Sequence, residues 1–185
     1  MKRKLDVEIN DDNGVLTYSG ARVILEHDGY LVMMQKRIEA ISAAMAHRMM
    51  YESGEQTAIR AISDTERMLL PIAKAINRKK VVEKLLLLAL DRGYGLFRLG
   101  TFDYATGKGM LLVGNSPVAR NYGESQDVVC YSIAGIIAGA AHLVWNQPFK
   151  CIETKCTAQQ GGEFCEFKLI PSTPNEREAY LKKIV

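Results

Sequence analysis

Long apolar runs are missing from this sequence. The two longest, Leu85–Leu90 and Ile133–Trp145, stop short of the ~20 residues a bilayer span needs, and Gly135, Gly139 and His142 interrupt the second. No membrane span is expected. Met1 to Asn10 is charged and alternating rather than continuously apolar, so it does not read as a secretory signal. The expectation is a cytoplasmic protein whose thiols stay reduced. The chain has no Gly-x-Gly-x-x-Gly fingerprint and no evident acid–base pair, so nothing supports hydride chemistry directly and an enzyme is the lesser expectation. Basic charge is not concentrated either. The excess of 24 Lys+Arg over 21 Asp+Glu comes largely from Lys2, Arg3 and Lys4, which read as a solvated end rather than a nucleic-acid footprint. There is no internal repeat and no low-complexity segment.

What remains is an ordinary globular composition, 48% hydrophobic over 185 residues, enough for one domain with a core. We read it as a single α+β domain in four parts: an N-terminal strand or arm (1–20), a helical part (21–92), a sheet with a small-residue helix and a cysteine hairpin (93–171), and a C-terminal helix (172–185). Met34, Ile38, Ile41, Met45 and Met49 recur at helical spacing and predict one helix over Val32–Met50, broken or kinked at Gly54. Ser63-Asp64 reads as a cap for a second helix starting near Thr65, with Glu66 and Arg67 in its first turn and a kink or boundary near Leu70-Pro71. Lys80–Leu90 reads as a third, mostly buried helix ended by Gly93.

Beyond Gly93 the pattern turns to strands. "YGLFRLGTFDY", "ATGK" and "GMLLVG" give strand, turn and strand. A loop through Asn115, Ser116, Pro117 and Gly123 is expected next. Ser125 or Asp127 then caps a helix to about Trp145, in which Ala134, Gly135, Ala138 and Gly139 leave the surface low enough for another backbone. Lys150–Ile170 reads as a hairpin turning at Gln160-Gly161 or Gly161-Gly162, and Pro174 opens a short amphipathic helix.

Three of the four cysteines lie in "CIETKCTAQQGGEFCEF" and the fourth is Cys130. In either hairpin register Cys156 and Cys165 share a face with Ile152, Thr154, Phe167 and Leu169. Strict alternation sends Cys151, Glu153, Lys155, Glu166 and Lys168 to the other. Directly paired strand residues have Cβ atoms roughly 4.5–5.5 Å apart, which lets two thiolates share one tetrahedral ion. Cys130, in the first turn of its helix, can join them. A fourth ligand would be Glu153 or Cys151, and Glu153 comes round only if the strand bulges between Glu153 and Cys156. The spacing is not a Cys-x-x-Cys pair, and it leaves open a metal site, buried core thiols or a disulfide.

A resemblance narrows this choice. "CYSIAGIIAGAAHLVW" followed by "IETKCTAQQGGEFCEFKL" resembles the C-terminal signature of the 4-vinyl reductase domain family. That family includes archaeal and bacterial hydrocarbon-binding proteins, sensor domains of phenol-responsive transcription activators and bacteriochlorophyll 4-vinyl reductase. Its fold is shared with subunits of the TRAPP vesicle-trafficking complex and with haem nitric-oxide sensors. The match covers about 45 residues through Cys130, Gly135, Gly139, Glu153-Thr154-Lys155-Cys156, Gly161-Gly162 and Cys165-Glu166-Phe167. It implies a fold of N-terminal helices packed on a small antiparallel sheet. It also implies Zn2+ held by Cys130, Glu153, Cys156 and Cys165, a closed set with no position for water, hence structural rather than catalytic.

The resemblance further implies a small hydrophobic or aromatic ligand between helices and sheet. Met45, Met49, Phe97, Leu99, Phe102, Met110, Leu112, Ile133 and Ile137 are the candidate pocket residues, although a stripe of this kind is more often plain core. Phenol sensors grip the hydroxyl with a His and a Trp, and the stretch Gly107–Val113 has neither. His47 and His142 sit in apolar helical settings as ordinary core or surface residues. Three function classes follow: a ligand-binding or sensing module signalling to an unidentified protein partner, an accessory factor or reductase for a tetrapyrrole vinyl group, and a TRAPP-like interaction scaffold. Family members pair through N-terminal helices, so the apolar face of Val32–Met50 implies a homodimer.

Overall fold

The computed structural model describes residues 6–18, 20–65 and 77–184. The terminal Lys2–Lys4 group and the expectations at Glu66, Arg67 and Leu70-Pro71 lie outside these residues. Within them an antiparallel meander comes first, β1 (Val7–Asn10), β2 (Val15–Tyr18) and β3 (Ala21–Val23). Helices α1 (Tyr30–Glu39), α2 (Ala43–Thr65) and α3 (Arg78–Asp91) follow. Next come β4 (Leu96–Phe102), β5 (Gly109–Gly114), α4 (Pro117–Tyr122), α5 (Tyr131–Trp145), β6 (Phe149–Lys155), α6 (Thr157–Gln160), β7 (Phe164–Pro171) and α7 (Pro174–Lys183). Strands β4-β5-β7-β6 form one antiparallel sheet, and the last strand of the meander, β3, lies inside the stretch 21–92 that was expected to be helical.

The crossing of α2 and α5 organises the core. A Cβ on Gly135 would lie 2.0 Å from the Tyr51 carbonyl oxygen, one on Gly139 2.4 Å from that of Glu55, and one on Gly54 2.2 Å from that of Ser132. The expected low surface of α5 is therefore in use, and Gly54 neither breaks nor ends its helix. It is the third glycine of a backbone-to-backbone contact. α5 is apolar on nearly every side because α2 covers one flank and the sheet, chiefly β6, the other.

Several local expectations are corrected. The Val32–Met50 run is two helices separated at residues 40–42, where Ala40 and Ser42 N–H turn back onto Lys36 and Ile38 carbonyls. α2 runs straight through Ser63 and Asp64, so no helix starts there. Asn77 caps α3, accepting from Lys80 N–H. Only Val81 and Val82 of α3 are fully buried, and Leu87 and Leu90 face outward, so it is a half-buried cover rather than a core helix. Ser116 starts the short α4, where a loop was expected, by accepting from Ala119 N–H. α5 begins after Cys130, not at Ser125 or Asp127, and ends on Asn146 in a left-handed conformation. Thr173 and Glu176 form a capping box that opens α7.

The hairpin departs from alternation in one place, and that place sets the site. β6 pairs with β7 as Cys151↔Leu169 and Glu153↔Phe167, then shifts to Lys155↔Glu166. Two residues of β6 oppose one of β7, a bulge at Thr154. Before the bulge Cys151 and Glu153 face inward with Phe167 and Leu169, and after it Cys156 does too. Ile152 and Thr154, expected inside, are not among the buried residues. The connection from Cys156 to Glu163 is not a two-residue turn. It holds α6 and turns at Gly161 and Gly162, both at positive φ (67° and 95°).

Candidate metal centre and cavity

Four side chains from two distant stretches converge behind that bulge. Cys130 is the N-cap of α5, Glu153 sits on β6 just before the bulge, Cys156 on the last residue before α6, and Cys165 at the start of β7. One ligand atom from each lies within 4.8 Å of all the others, and all four residues are buried. The Cys130 and Cys165 sulfurs are 4.0 Å apart, and all four cysteines are free thiols. A disulfide is thus not what joins them. In a tetrahedral site with Zn–S near 2.3 Å, sulfurs sit roughly 3.8 Å from each other, so the spacing fits a metal of that size.

Glu153 carries the sharpest indication. Its Oε2 accepts the Cys130 backbone N–H at 2.8 Å, while its buried Oε1 has no hydrogen-bond partner. A buried carboxylate oxygen left unpaired is costly, and a cation between the three sulfurs would satisfy it. Burial pushes the Glu153 carboxyl up to about 7, against the pull of the Cys130 N–H. The thiols share protons among themselves. Hydrogen bonds from Cys130 and Cys156 hold the Cys165 thiol far below its usual range, while those to Cys156 and Cys165 raise Cys130. Cys156 is raised as well, the pull of its hydrogen bond to Cys130 being outweighed by the one to Cys165 and by burial, so the arrangement favours a thiolate at Cys165.

Cys151 stands apart. It is fully buried, its backbone is held between the Tyr51 and Tyr180 hydroxyls (3.0 and 2.9 Å), and desolvation raises its thiol well above the ordinary value. It packs as a core residue. Residues that pattern reasoning missed complete the surroundings. Ser116 Oγ lies 3.4 Å from Cys130 Sγ, and Thr157 reaches Cys165 Sγ with both its N–H (3.3 Å) and its Oγ1 (3.4 Å). Only the closeness of Thr157 to Cys156 in sequence could have suggested it.

A second feature lies between α2, α3, α5 and the sheet. It is a cavity of about 90 Å³ whose wall includes Ala58, Ile62, Leu86, Leu111 and Trp145. Of the nine pocket candidates, Phe97, Phe102 and Ile137 line it. Ile133 is buried in the core but does not reach it. Leu99, Met110 and Leu112 do not line it either. Phe97 pairs with Val113 and Leu99 with Leu111, which puts Leu111 and Val113 inward and Met110 and Leu112 on the opposite parity. Met45 and Met49 are exposed, because the early part of α2 turns them away from the sheet. The polar wall residues are Thr57, Arg92, Tyr94 and Trp145. The Trp145 N–H is already given to the Tyr104 carbonyl (3.2 Å), and Arg92 lies over the Tyr18 ring. His142 and His47 are both committed to backbone carbonyls, of Gln147 and Ile184, and neither meets the cavity.

Residues 112–171 match the family model of the 4-vinyl reductase domain. That segment is about a third of the chain. All four clustered residues fall inside the matched segment, whereas the cavity walls from α2, α3 and β4 lie outside it. No curated protein matches the chain. Among solved structures, the phenol-responsive sensory domain of the transcription activator PoxR, with phenol, aligns over 96% of this chain and 92% of its own. Its TM-score is 0.78 at 18% identity. A trafficking protein particle complex subunit 3 from Naegleria fowleri, covalently bound to palmitic acid, aligns over 78% of this chain and 95% of its own (TM-score 0.58, 15% identity). A vinyl-4-reductase family protein from Methanocaldococcus jannaschii aligns over 82% and 99% at 16% identity, but its TM-score of 0.42 is too low to bear on the fold. At these identities the likeness is one of fold, and it extends the domain's architecture to the N-terminal helices. Among the described residues no helix is long and apolar enough to cross a membrane.

Proposed function

We propose that this protein is a zinc-stapled module that binds a small apolar molecule in the cavity between its helices and sheet. The observation that carries the metal half is the convergence of Cys130, Glu153, Cys156 and Cys165 with Glu153 Oε1 left unpaired. Three sulfurs and one carboxylate suit Zn2+, and four protein ligands close its coordination sphere. When bound, the ion would tie the start of α5 to both hairpin strands, and its binding energy would be folding energy for this end of the molecule. Reduced thiols fit a cytoplasmic setting.

The ligand half rests on the cavity's chemistry. Among the described residues its wall is mostly aliphatic and aromatic, with Thr57, Arg92 and Tyr94 as polar members, which suits the binding of an apolar molecule. Its size suits a single ring or a short chain, so a tetrapyrrole substrate fits less well. The solved sensory domain that holds phenol has the same fold, which supports a sensing role for this chain, and a signal would pass to a partner protein. Trp145 is the chain's one tryptophan and lines the cavity, so its fluorescence reports on occupancy. Titration with toluene or a short alkane should change that emission saturably and raise the melting temperature. Failure of every such probe to do either refutes the ligand reading.

We further propose pairing through the N-terminal helices. Leu25 (80% exposed), Met33 (69%), Ile41 (83%), Met45 and Met49 are large apolar side chains left exposed just before, on and between α1 and the start of α2, and their cover by a second copy is what supports this pairing. Met33→Glu combined with Met45→Glu should convert a sedimenting dimer to monomer. A parent that already sediments as one chain at micromolar concentration contradicts the pairing.

A further inference from the structure

Beside the proposed metal site a surface cleft runs between α4 and α6, lined by residues that include Asn115, Ser116, Thr157, Ala158 and Gly162. Two of these residues also touch the sulfurs, Ser116 at Cys130 and Thr157 at Cys165. We infer that Ser116 and Thr157 form the outer wall of the metal site, donating hydrogen bonds to two of its thiolates and separating them from the cleft. The inference rests on the zinc reading above.

Electrostatics motivates the assignment. Three thiolates and a carboxylate outweigh a divalent cation, so the filled site keeps excess negative charge in a buried setting. Donors aimed at sulfur offset that cost, and outer partners of this kind hold ligands in place. Thr157 is arranged for the task by the local chain. Cys156 is the N-cap of α6, so Thr157 is its first residue, with an N–H free of intrahelical bonding to reach Cys165 Sγ. Its hydroxyl lies 3.4 Å from the same sulfur. Ser116 has two commitments, since its Oγ accepts from Ala119 N–H to cap α4 while lying 3.4 Å from Cys130 Sγ. The hydroxyl hydrogen is thus left for the sulfur. These are positioning residues, because they reach the ion only through its ligands.

Cobalt(II) is the probe, since its thiolate charge-transfer band reports electron density on sulfur. Cobalt titration and chelator competition on the full chain compare the parent with Thr157→Val, which keeps shape and backbone N–H but removes the hydroxyl. The expected result is about 10-fold weaker binding with the charge-transfer band moved to lower energy, and restoration of both by Thr157→Ser. Thr157→Val with parental affinity and band position overturns the inference while leaving the metal site standing. A parent that binds no cobalt overturns the metal reading itself. Should Thr157→Val lack the parental circular dichroism spectrum, Ser116→Ala carries the same comparison at Cys130, with parental affinity and band again overturning the inference.

Discussion

Replacing Gly135 with alanine probes the contact on which both proposed sites depend. The added methyl would sit 2.0 Å from the Tyr51 carbonyl oxygen and 2.9 Å from the Glu55 nitrogen, both backbone atoms with no side-chain rotamer to relieve them. An ordinary carbon–oxygen contact is roughly 3.4 Å, so α2 and α5 would have to part by more than about 1 Å. Overpacking of this kind costs about 1–3 kcal/mol. The movement also strains the buried Tyr51 hydroxyl, which accepts the Cys151 N–H at 3.0 Å, and losing that bond adds about 1–3 kcal/mol. Against this, alanine gains about 1 kcal/mol of helix propensity over glycine. The net is about 3 kcal/mol, which in a chain of this size lowers the melting temperature by roughly 10 °C. Differential scanning calorimetry at matched metal content measures it. A Gly135→Ala protein melting within about 2 °C of the parent would refute the close crossing.

Other outcomes follow from the same geometry. Glu153→Ala should lower zinc affinity by about 10-fold or more, while Cys151→Ser should leave zinc content unchanged in metal analysis; the reverse pattern would exchange their roles. The Arg177 guanidinium binds both oxygens of the buried Glu55 carboxylate, tying α7 to α2. Arg177→Met should therefore cost about 3 kcal/mol by denaturant unfolding, and an unchanged midpoint would show the pair to be idle. In chelator-treated protein the folded state holds the Glu153 proton more tightly than the unfolded chain, its carboxyl being raised from 4.5 to about 7. That contribution is complete below pH 4.5 and lost as pH rises through 7, about 3 kcal/mol in all. Glu153→Gln should flatten this part of the stability profile, and an equally steep profile in the variant would place the proton elsewhere.

The hairpin shows how far pattern reading reaches. Residue type and spacing made a grouping of the three thiols conceivable, the family resemblance pointed to Glu153 as their partner, and parity then called for a bulge between Glu153 and Cys156. Which residues then face inward was not legible. One extra residue at Thr154 inverts alternation for everything before it, bringing in Cys151 and sending out Ile152. Parity also misplaced Met110 and Leu112, since only the pairing of Val113 with Cys165 fixes which face of β5 meets the core. The small residues of α5 announced a close crossing, but their partner, Gly54 and its neighbours on α2, looked like a break. Met45 and Met49 shared an apolar stripe with Met34 and Ile41, and nothing in a stripe distinguishes a covered face from an open one. The hydroxyls of Ser116 and Thr157 had no pattern at all, because their role exists only once α4, α6 and the hairpin are assembled.

A thiolate-held zinc that staples α5 to the hairpin underlies everything proposed for this end of the molecule. Native mass spectrometry of protein purified without chelators decides the matter, by comparing the intact mass with that of the 20.6 kDa chain. One zinc per chain is expected, with loss of the ion under chelator accompanied by loss of hairpin protection in hydrogen exchange. Less than about 0.2 zinc per chain, with the hairpin still protected, would rule the staple out.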